Sequence, residues 1–497
     1  MATLTSNPIV GTARISSGCA GLDIVMSGGL PKGHLYLLEG EPGSGKTTLA
    51  LQFVLEGQRN GEKVLYVTLS ESRQDLEIAA RSHGLSLEGV EISELLPSEE
   101  DLRPESQYTV FHPAEVELND RMQRIVTEIR RLQPNRLVID ALSELRMLAK
   151  DPLRYRRQIL SLKDFMTGKH CTVLLLDDRT SREPDLQLHS IVHGVISLDR
   201  VPRDYGNTRR QLQVLKLRGT SFREGLHDYL IHTGGVKVFP RLVAAESRGK
   251  VPNETVSSGI PELDALTGGG LDRGTSTLLM GPAGSGKTTI ALRWAFSAAL
   301  RNEKSVLCIF EESPHTLITR AAGLGMGIQK FLESGLISLE RVDPAEMPPG
   351  QLIEKVKFYV ENRDVKLVVI DSLNGYLQSV PGEQFLTLHL HELLGFLNNS
   401  GILTLLTLAQ AGTIGSSMPT PVDVSYLADN ILLFRYFEVR GEVRQAISAI
   451  KKRGGSHERK IRELAFSDGK ITVGKPISNF HGVLTGIPTL LDLDPKP

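Results

Sequence analysis

Short apolar runs alternate with longer stretches of mixed apolar and polar residues along the whole chain of 497 residues. The short runs are typical of buried strands, and the mixed stretches have the spacing of amphipathic helices. Their alternation predicts an α/β fold, in which helices flank mostly parallel, twisted sheets. The predicted strands are Leu35–Glu39, Val64–Leu69, Leu137–Ile139 and Thr172–Leu176 in the first half of the chain, and Thr277–Met280, Val306–Phe310, Leu367–Ile370 and Ile402–Leu408 in the second.

The same pattern occurs twice because the chain contains a tandem repeat. The triplets Ser16-Ser17-Gly18 and Gly28-Gly29-Leu30 return as Ser257-Ser258-Gly259 and Gly269-Gly270-Leu271, at an offset of 241 residues. This period is far longer than a solenoid repeat, so each copy should be a domain with its own core. A polar stretch between Arg241 and Pro252 interrupts the apolar pattern. We therefore predict two domains, residues 1–245 and 246–497.

Each copy has a glycine-rich loop that ends in Gly-Lys-Thr, placed between a predicted strand and a predicted helix. In loops of this kind the backbone N–H groups surround phosphates, the lysine reaches the β- and γ-phosphates, and the threonine hydroxyl binds Mg²⁺. One match could be an ordinary turn, but two in equivalent positions predict ATP and Mg²⁺ as ligands. The predicted nucleotide-binding residues are Gly43, Ser44, Gly45, Lys46, Thr47 and Thr48 in the first copy, and Gly284, Ser285, Gly286, Lys287, Thr288 and Thr289 in the second.

Two predicted strands end in an aspartate, Asp140 in the first copy and Asp371 in the second. A carboxylate at this position can hold Mg²⁺ opposite the loop threonine, Thr47 or Thr288, and so complete the oxygen ligands of the ion. The alternative is that each aspartate caps the helix that follows. Both copies contain the aspartate, so both are predicted to bind Mg-nucleotide.

The strand that follows the first helix of each copy ends in carboxylates that are candidates to orient or deprotonate the attacking group. The second copy has Glu311 and Glu312, whereas the first has Ser70 and Glu71 at the corresponding positions. A hydroxyl without its own base is a much weaker proton acceptor than a carboxylate. We therefore expect unequal hydrolysis in the two copies, unless these acidic residues are only solvated strand ends.

A pair of cations closes each copy: Lys216 and Arg218 in the first, Lys451 and Arg453 in the second. The strand period places the two members of a pair on one face. Such a pair cannot easily reach the phosphate loop of its own domain, but it can stabilise γ-phosphate charge across a subunit boundary, as arginine fingers do. This interpretation predicts a ring. The alternative is a solvated basic edge strand that prevents aggregation.

Composition changes this picture little. Hydrophobic residues make up 40% of the chain and charged residues 23%, with a formal net charge of -1. A neutral total argues against a DNA partner, although a local basic stripe could be hidden in it. Cys19, Cys171 and Cys308 show no spacing typical of a zinc site or a disulfide framework. The N-terminus lacks a signal pattern and no apolar run could span a membrane, so we predict a cytoplasmic protein without a membrane partner.

Together with the paired loops, two further segments resemble the KaiC family: the run Lys-Leu-Arg-Gly-Thr-Ser at 216–221, and Asp429-Asn430-Ile431-Leu432-Leu433 continuing to Arg440-Gly441-Glu442. The resemblance covers nearly the whole chain. It implies tandem RecA-like P-loop domains that form a two-tiered homohexamer with ATP between neighbouring subunits. It further implies ATP hydrolysis in the first tier, serine/threonine autokinase activity in the second, and a KaiB-like protein as a possible partner.

The residues that the resemblance makes phospho-acceptors differ from the family pattern in one respect. Ser425, four residues before Asp429, stands where the family has its acceptor serine, and Tyr426 replaces the acceptor threonine. We predict phosphorylation at Ser425, with Thr420 as a secondary acceptor. The alternative is that Ser425 only makes a turn or caps a helix.

These observations predict a hexameric KaiC-like ATPase that acts in timing or signalling, with autokinase activity in its second domain. Glu71, Glu311 and Glu312 would act on the nucleophile, and the four terminal cations would act across the interface. One rival is a RecA- or DnaB-like motor that depends on DNA, since its core would have the same loops. Another is a nucleotide-switched scaffold with little turnover.

Overall fold

The computed structural model describes residues 13–96, 113–149, 151–179, 186–203, 205–247, 249, 251–379, 383–412, 420, 423–467, 469–478, 480–485 and 489–490. The chain forms two compact units, Met1–Arg241 and Leu242–Pro497. Each unit contains a nine-stranded sheet flanked by helices. All the predicted strands are present, with ends that differ by one or two residues. The prediction of two mostly parallel sheets in tandem is therefore confirmed.

The first unit has six parallel strands followed by three antiparallel ones in its main sheet. Its strands are β1 (Arg14–Ile15), β2 (Leu30–Pro31), β3 (Leu35–Gly40), β4 (Val64–Thr68), β5 (Glu91–Glu94), β6 (Arg136–Asp140), β7 (Thr172–Asp178), β8 (Gly194–Val201), β9 (Arg209–Leu217), β10 (His227–His232) and β11 (Gly235–Phe239). Its helices are α1 (Ala20–Val25), α2 (Lys46–Arg59), α3 (Arg73–Ser82), α4 (Pro113–Leu132), α5 (Leu142–Ala149), α6 (Pro152–Met166) and α7 (Leu186–Ile191). The strand order is β5-β4-β6-β7-β3-β8-β9-β10-β11, and the antiparallel part begins after β8.

The second unit repeats this plan. Its strands are β12 (Thr255–Val256), β13 (Leu271–Asp272), β14 (Ser276–Gly281), β15 (Lys304–Ile309), β16 (Ile337–Arg341), β17 (Val365–Asp371), β18 (Leu403–Ala409), β19 (Asn430–Val439), β20 (Glu442–Lys452), β21 (Arg462–Ser467), β22 (Lys470–Pro476), β23 (Phe480–His481) and β24 (Thr489–Leu490). Its helices are α8 (Pro261–Leu266), α9 (Lys287–Leu300), α10 (Pro314–Gly323), α11 (Gln329–Glu333), α12 (Pro349–Arg363), α13 (Leu373–Ser379) and α14 (Glu383–Asn399). The order β16-β15-β17-β18-β14-β19-β20-β21-β22 matches the first sheet strand for strand.

Both faces of each sheet are buried, which explains why the central strands have apolar runs rather than strict alternation. In β3, Tyr36 packs in the same cluster as Phe53 of α2, while the next residue, Leu37, packs on the opposite face with Ile125 of α4. Side chains of a strand alternate between faces, so one apolar run supplies two cores. Among the described residues, no helix is both long enough and apolar enough to cross a membrane.

The parallel strands bring chemically important residues to one edge of each sheet. In the first unit Thr68 is paired with Asp140, and Gly40 is paired with Asp178. Ligands of sheets of this kind bind beyond the carboxyl ends of the strands. The loop from β3 to α2 and the loop from β14 to α9 both lie at this edge.

Candidate functional site

The glycine-rich loops have the same backbone conformation in both units. Gly45 and Gly286, immediately before α2 and α9, have left-handed φ angles of 97° and 98°. A Cβ atom at Gly45 would lie 2.6 Å from Cδ1 of Ile231, and one at Gly286 would lie 2.3 Å from the ring of Phe466. Only glycine fits here, because both the backbone angle and the space exclude a side chain. The loops therefore present backbone N–H groups at a helix N-terminus, an arrangement that fits phosphate.

Each loop buries the ammonium of its lysine, which is 7% exposed in both units. The Nζ of Lys46 donates to the carbonyls of Gly40 at 2.9 Å and Glu41 at 3.0 Å, and forms an ion pair with Asp178 at 2.7 Å. The Nζ of Lys287 donates to the carbonyl of Pro282 at 2.7 Å. Burial lowers the pKa of Lys287 to about 8, although the charges of Asp371 and Glu311 oppose this shift. A buried cation of this kind is suited to an anionic ligand.

The predicted metal-binding residues are brought together in both units. The hydroxyl of Thr47 donates to Asp140 at 3.1 Å, and the hydroxyl of Thr288 donates to Asp371 at 3.1 Å. Burial raises the pKa of both carboxyl groups, and the hydroxyl hydrogen bonds act in the opposite direction. A hydroxyl and a carboxylate oxygen are ligands that Mg²⁺ prefers, so this donor set fits the ion.

A second hydroxyl donates a hydrogen bond to the carboxylate of each aspartate, and this hydroxyl comes from a different strand in each unit. Tyr66 on β4 donates to Asp140 at 2.5 Å. Thr407 on β18 donates to Asp371. Neither residue was predicted from the sequence, because nothing in the spacing indicates that these side chains point toward the aspartate.

The candidate carboxylates follow β4 and β15 directly, beside the aspartates. In the second unit, Glu311 accepts a hydrogen bond from the hydroxyl of Ser372 at 2.8 Å and is otherwise exposed. Two guanidinium nitrogens of Arg320 on α10 donate to the carboxylate of Glu312, at 3.2 and 2.6 Å. Arg320 also donates to the hydroxyl of Thr289. Among the described residues, Glu312 is paired with Arg320, whereas Glu311 has no ion-pair partner.

The first unit has a glutamate, Glu71, at the position of Glu312, but it differs at the positions of Glu311 and Arg320. Ser70 is exposed, and Ala79 of α3 stands where the second unit has Arg320. Among the described residues, none forms an ion pair or a hydrogen bond with the carboxylate of Glu71. Partial burial raises the pKa of Glu71, and the charges of Asp140, Asp75 and Asp178 raise it further. A raised pKa makes this carboxylate a stronger base than an ordinary glutamate.

The terminal cations lie away from the loops of their own unit. Lys216 donates to the carbonyls of His189 and of Val192, the latter at 2.8 Å, and Arg218 donates to the carbonyl of Ser190 at 2.7 Å. These contacts join β9 and the residue after it to the segment before β8.

In the second unit the equivalent contacts reach the predicted acceptor segment. Lys451 donates to the carbonyls of Ser425 at 3.1 Å and Ala428 at 2.7 Å. Arg453 forms an ion pair with Asp429 at 3.1 Å. The cation pair therefore fixes the segment 425–429 to β20 within one subunit.

Within the acceptor segment, Tyr426 is exposed and Ser425 is half-buried. The backbone N–H of Ser425 donates to the carboxylate of Asp423 at 3.0 Å and closes a local turn. The hydroxyl of Ser425 donates to the same carboxylate at 2.7 Å. Hydrogen bonding from Ser425 holds the pKa of Asp423 below its usual range. Thr420 is partly buried, and the residues on either side of it, 413–419 and 421–422, lie outside the described part of the chain.

Two comparisons with known proteins agree with this geometry. The family model described as "ATPase: KaiC" matches residues 15–243 and again residues 256–478. The circadian clock oscillator protein KaiC of Picosynechococcus sp. is 27% identical over 493 residues, which cover 98% of this chain and 95% of that protein. The circadian clock protein KaiC3 of Synechocystis sp. is 27% identical over 483 residues, with 96% and 95% covered. KaiC of Synechococcus elongatus is 27% identical over 489 residues, with 97% and 93% covered.

The substitution Gly286→Ala tests the loop geometry. A Cβ atom at this position costs roughly 1–2 kcal/mol for the left-handed backbone alone and also displaces the Phe466 ring. We expect the affinity of the second loop for nucleotide to fall by about tenfold or more, measured by calorimetry with Lys46→Ala in the background. The control is Gly323→Ala, since Gly323 ends α10 and no atom lies within 4 Å of its Cβ position. Unchanged affinity in Gly286→Ala would contradict the described loop.

Proposed function

This chain belongs to the KaiC family of ATPases, and we propose that both of its units bind Mg-ATP between the subunits of a homohexameric ring. The observation that carries the proposal is the repeated Thr–Asp contact of 3.1 Å beside a buried lysine in each unit. We further propose that the second unit phosphorylates its own chain, and that the ring acts in timing or signalling. The names of its relatives, which are circadian clock proteins, support this role.

The residues of the chain define what each site does with the nucleotide. The loop N–H groups and Lys46 or Lys287 bind the phosphates, and the paired threonine and aspartate hold Mg²⁺. Bound Mg²⁺ neutralises charge on the phosphate oxygens. Glu311 in the second unit and Glu71 in the first position the attacking water and accept its proton. The family match does not favour a DNA-dependent motor.

Glu311 is the principal base of the second unit because Arg320 neutralises its neighbour. We expect Glu311→Gln to lower hydrolysis by about 100-fold or more, since a positioned base contributes this much. Glu312→Gln should lower it less than about tenfold, because the amide oxygen can still accept hydrogen bonds from Arg320. Steady-state turnover with Lys46→Ala in the background isolates the second unit.

The matched control is Glu361→Gln, an exposed glutamate on α12 whose lysine partner is 3.6 Å away. Equal losses in the Glu311 and Glu312 variants would contradict the assignment. Near-zero turnover in the parent protein, combined with assembly that depends on ATP, would instead support the nucleotide-switched scaffold.

The proposed autophosphorylation uses Ser425 of one subunit and the second-unit ATP of its neighbour. Oγ of Ser425 forms a bond to the γ-phosphorus while the bond from that phosphorus to the β,γ-bridging oxygen breaks and ADP leaves. The hydroxyl proton passes to the neighbouring subunit's glutamate at position 311. Asp423 holds the hydroxyl in the resting chain but is a weak base, because its pKa is already low. Lys451 is close enough to neutralise part of the negative charge of the phosphoryl group on Ser425, since its Nζ contacts the Ser425 carbonyl.

Ser425→Ala should remove most of the covalent label that the chain acquires from γ-labelled ATP. Hydrolysis by the first unit should not change, because Ser425 belongs to the second. Mass spectrometry of labelled peptides locates the phosphate, and Thr420→Ala and Tyr426→Phe serve as matched variants with smaller expected losses. Undiminished label in Ser425→Ala would refute the assignment.

Ring assembly should depend on ATP, because Lys216, Arg218, Lys451 and Arg453 are proposed to meet the γ-phosphate of a neighbour. Light scattering should show hexamers with ATP and smaller species without it. Lys451→Ala combined with Arg453→Ala should weaken assembly and lower second-unit turnover, whereas Lys357→Ala, on the exposed face of α12, should not. A monomer at all nucleotide concentrations would contradict the ring. We also propose a KaiB-like protein as a partner of this chain.

A further inference from the structure

The lysine of the first loop forms an ion pair with a carboxylate, and in the part of the chain that the structure describes the lysine of the second loop forms none. Asp178 is the last residue of β7, and it pairs in register with Gly40 at the end of β3. Its carboxylate lies 2.7 Å from Nζ of Lys46. The residue in the same register position of the second sheet, opposite Gly281, is Ala409. At this register position the first unit has a carboxylate and the second unit has none, whereas beside Lys287 the second unit has Glu311, whose counterpart in the first unit is Ser70.

The ion pair uses the last hydrogen-bond donor of the Lys46 ammonium. An ammonium has three donors, and the carbonyls of Gly40 and Glu41 take the other two. Within the described residues, Lys287 makes a single hydrogen bond, to the carbonyl of Pro282. A phosphate oxygen can thus join Lys287 directly, whereas at Lys46 it must displace the Asp178 carboxylate or lie beside it.

We propose that Asp178 sets the nucleotide preference of the first unit by disfavouring the γ-phosphate of ATP relative to ADP. The inference rests on the proposed function of the first loop as a phosphate site. Lys46 reaches the β- and γ-phosphates, and a carboxylate already on its Nζ repels the nucleotide with more negative charge there more strongly. The second unit has Ala409 at this position, and among the described residues no carboxylate is bonded to its loop lysine, so it holds ATP more tightly relative to ADP.

The test measures binding to the first loop alone, in the full-length chain with Lys287→Ala. ADP and a non-hydrolysable ATP analogue are titrated with Mg²⁺ into this parent and into its Asp178→Asn derivative, which keeps the size of the side chain. We expect the affinity for the ATP analogue to rise about tenfold or more and the affinity for ADP to rise less. Unchanged or weakened binding of the ATP analogue would overturn the proposal, as would equal gains for both nucleotides.

The matched control is Asp199→Asn, because Asp199 is a carboxylate on β8, on the other side of β3 from β7, and it pairs with Arg179 instead of the loop lysine. It should leave both affinities unchanged. The reciprocal variant is Ala409→Asp in a Lys46→Ala background. At the second loop it should lower the affinity for the ATP analogue more than the affinity for ADP. If this added carboxylate changes neither affinity, the proposal is contradicted.

Two outcomes separate this inference from the function on which it rests. If neither nucleotide binds to the Lys287→Ala chain, with Asp178 present or replaced, the first loop is not a nucleotide site and both proposals fail. If both nucleotides bind and Asp178→Asn lowers only the rate of hydrolysis, the first loop is a nucleotide site, but Asp178 is a catalytic carboxylate and the selectivity proposal is overturned.

Discussion

Each sheet buries one lysine ammonium at the edge where its parallel strands end, and the surrounding structure satisfies that charge. Taking an ammonium out of water is costly unless oxygen atoms surround it. Backbone carbonyls of the glycine-rich loop supply part of this shell, which requires the loop to curl back and the residue before the helix to be left-handed. Gly45 and Gly286 meet that requirement. The strand order then brings carboxylates to the same edge, where phosphate is proposed to bind.

The two units share one backbone plan, but different side chains surround the charged groups at the edge of each sheet. Asp140 is held by a tyrosine from β4, and Asp371 by a threonine from β18. Arg320 neutralises a glutamate in the second unit, while the carboxylate of Glu71 in the first has its pKa raised. A duplicated fold therefore carries two electrostatic environments, which is how one architecture can perform chemistry at two rates.

The sequence predicted what depends on local spacing, and it missed what depends on packing between distant elements. The strands and both phosphate loops could be found because an apolar run and a fixed glycine spacing are local signals. Asp140 and Asp371 ended such runs, and Asp178 ends a third, so the same signal was available for it. The ion pair between Arg320 and Glu312 could not be predicted from the sequence, because it depends on how α10 lies beside the start of α9. The partners of the terminal cations were missed for the same reason, since they come from segments before β8 and β19.

The Phe466 ring, which fills the space beside Gly286, lies on β21, and β21 is paired with β20. At its far end β20 carries Lys451, which is tied to the carbonyls of Ser425 and Ala428. One pair of strands thus links the segment proposed to face a neighbouring subunit with the loop proposed to hold phosphate. In the proposed ring, a displacement at one subunit boundary would therefore reach the loop of the same subunit through this strand pair.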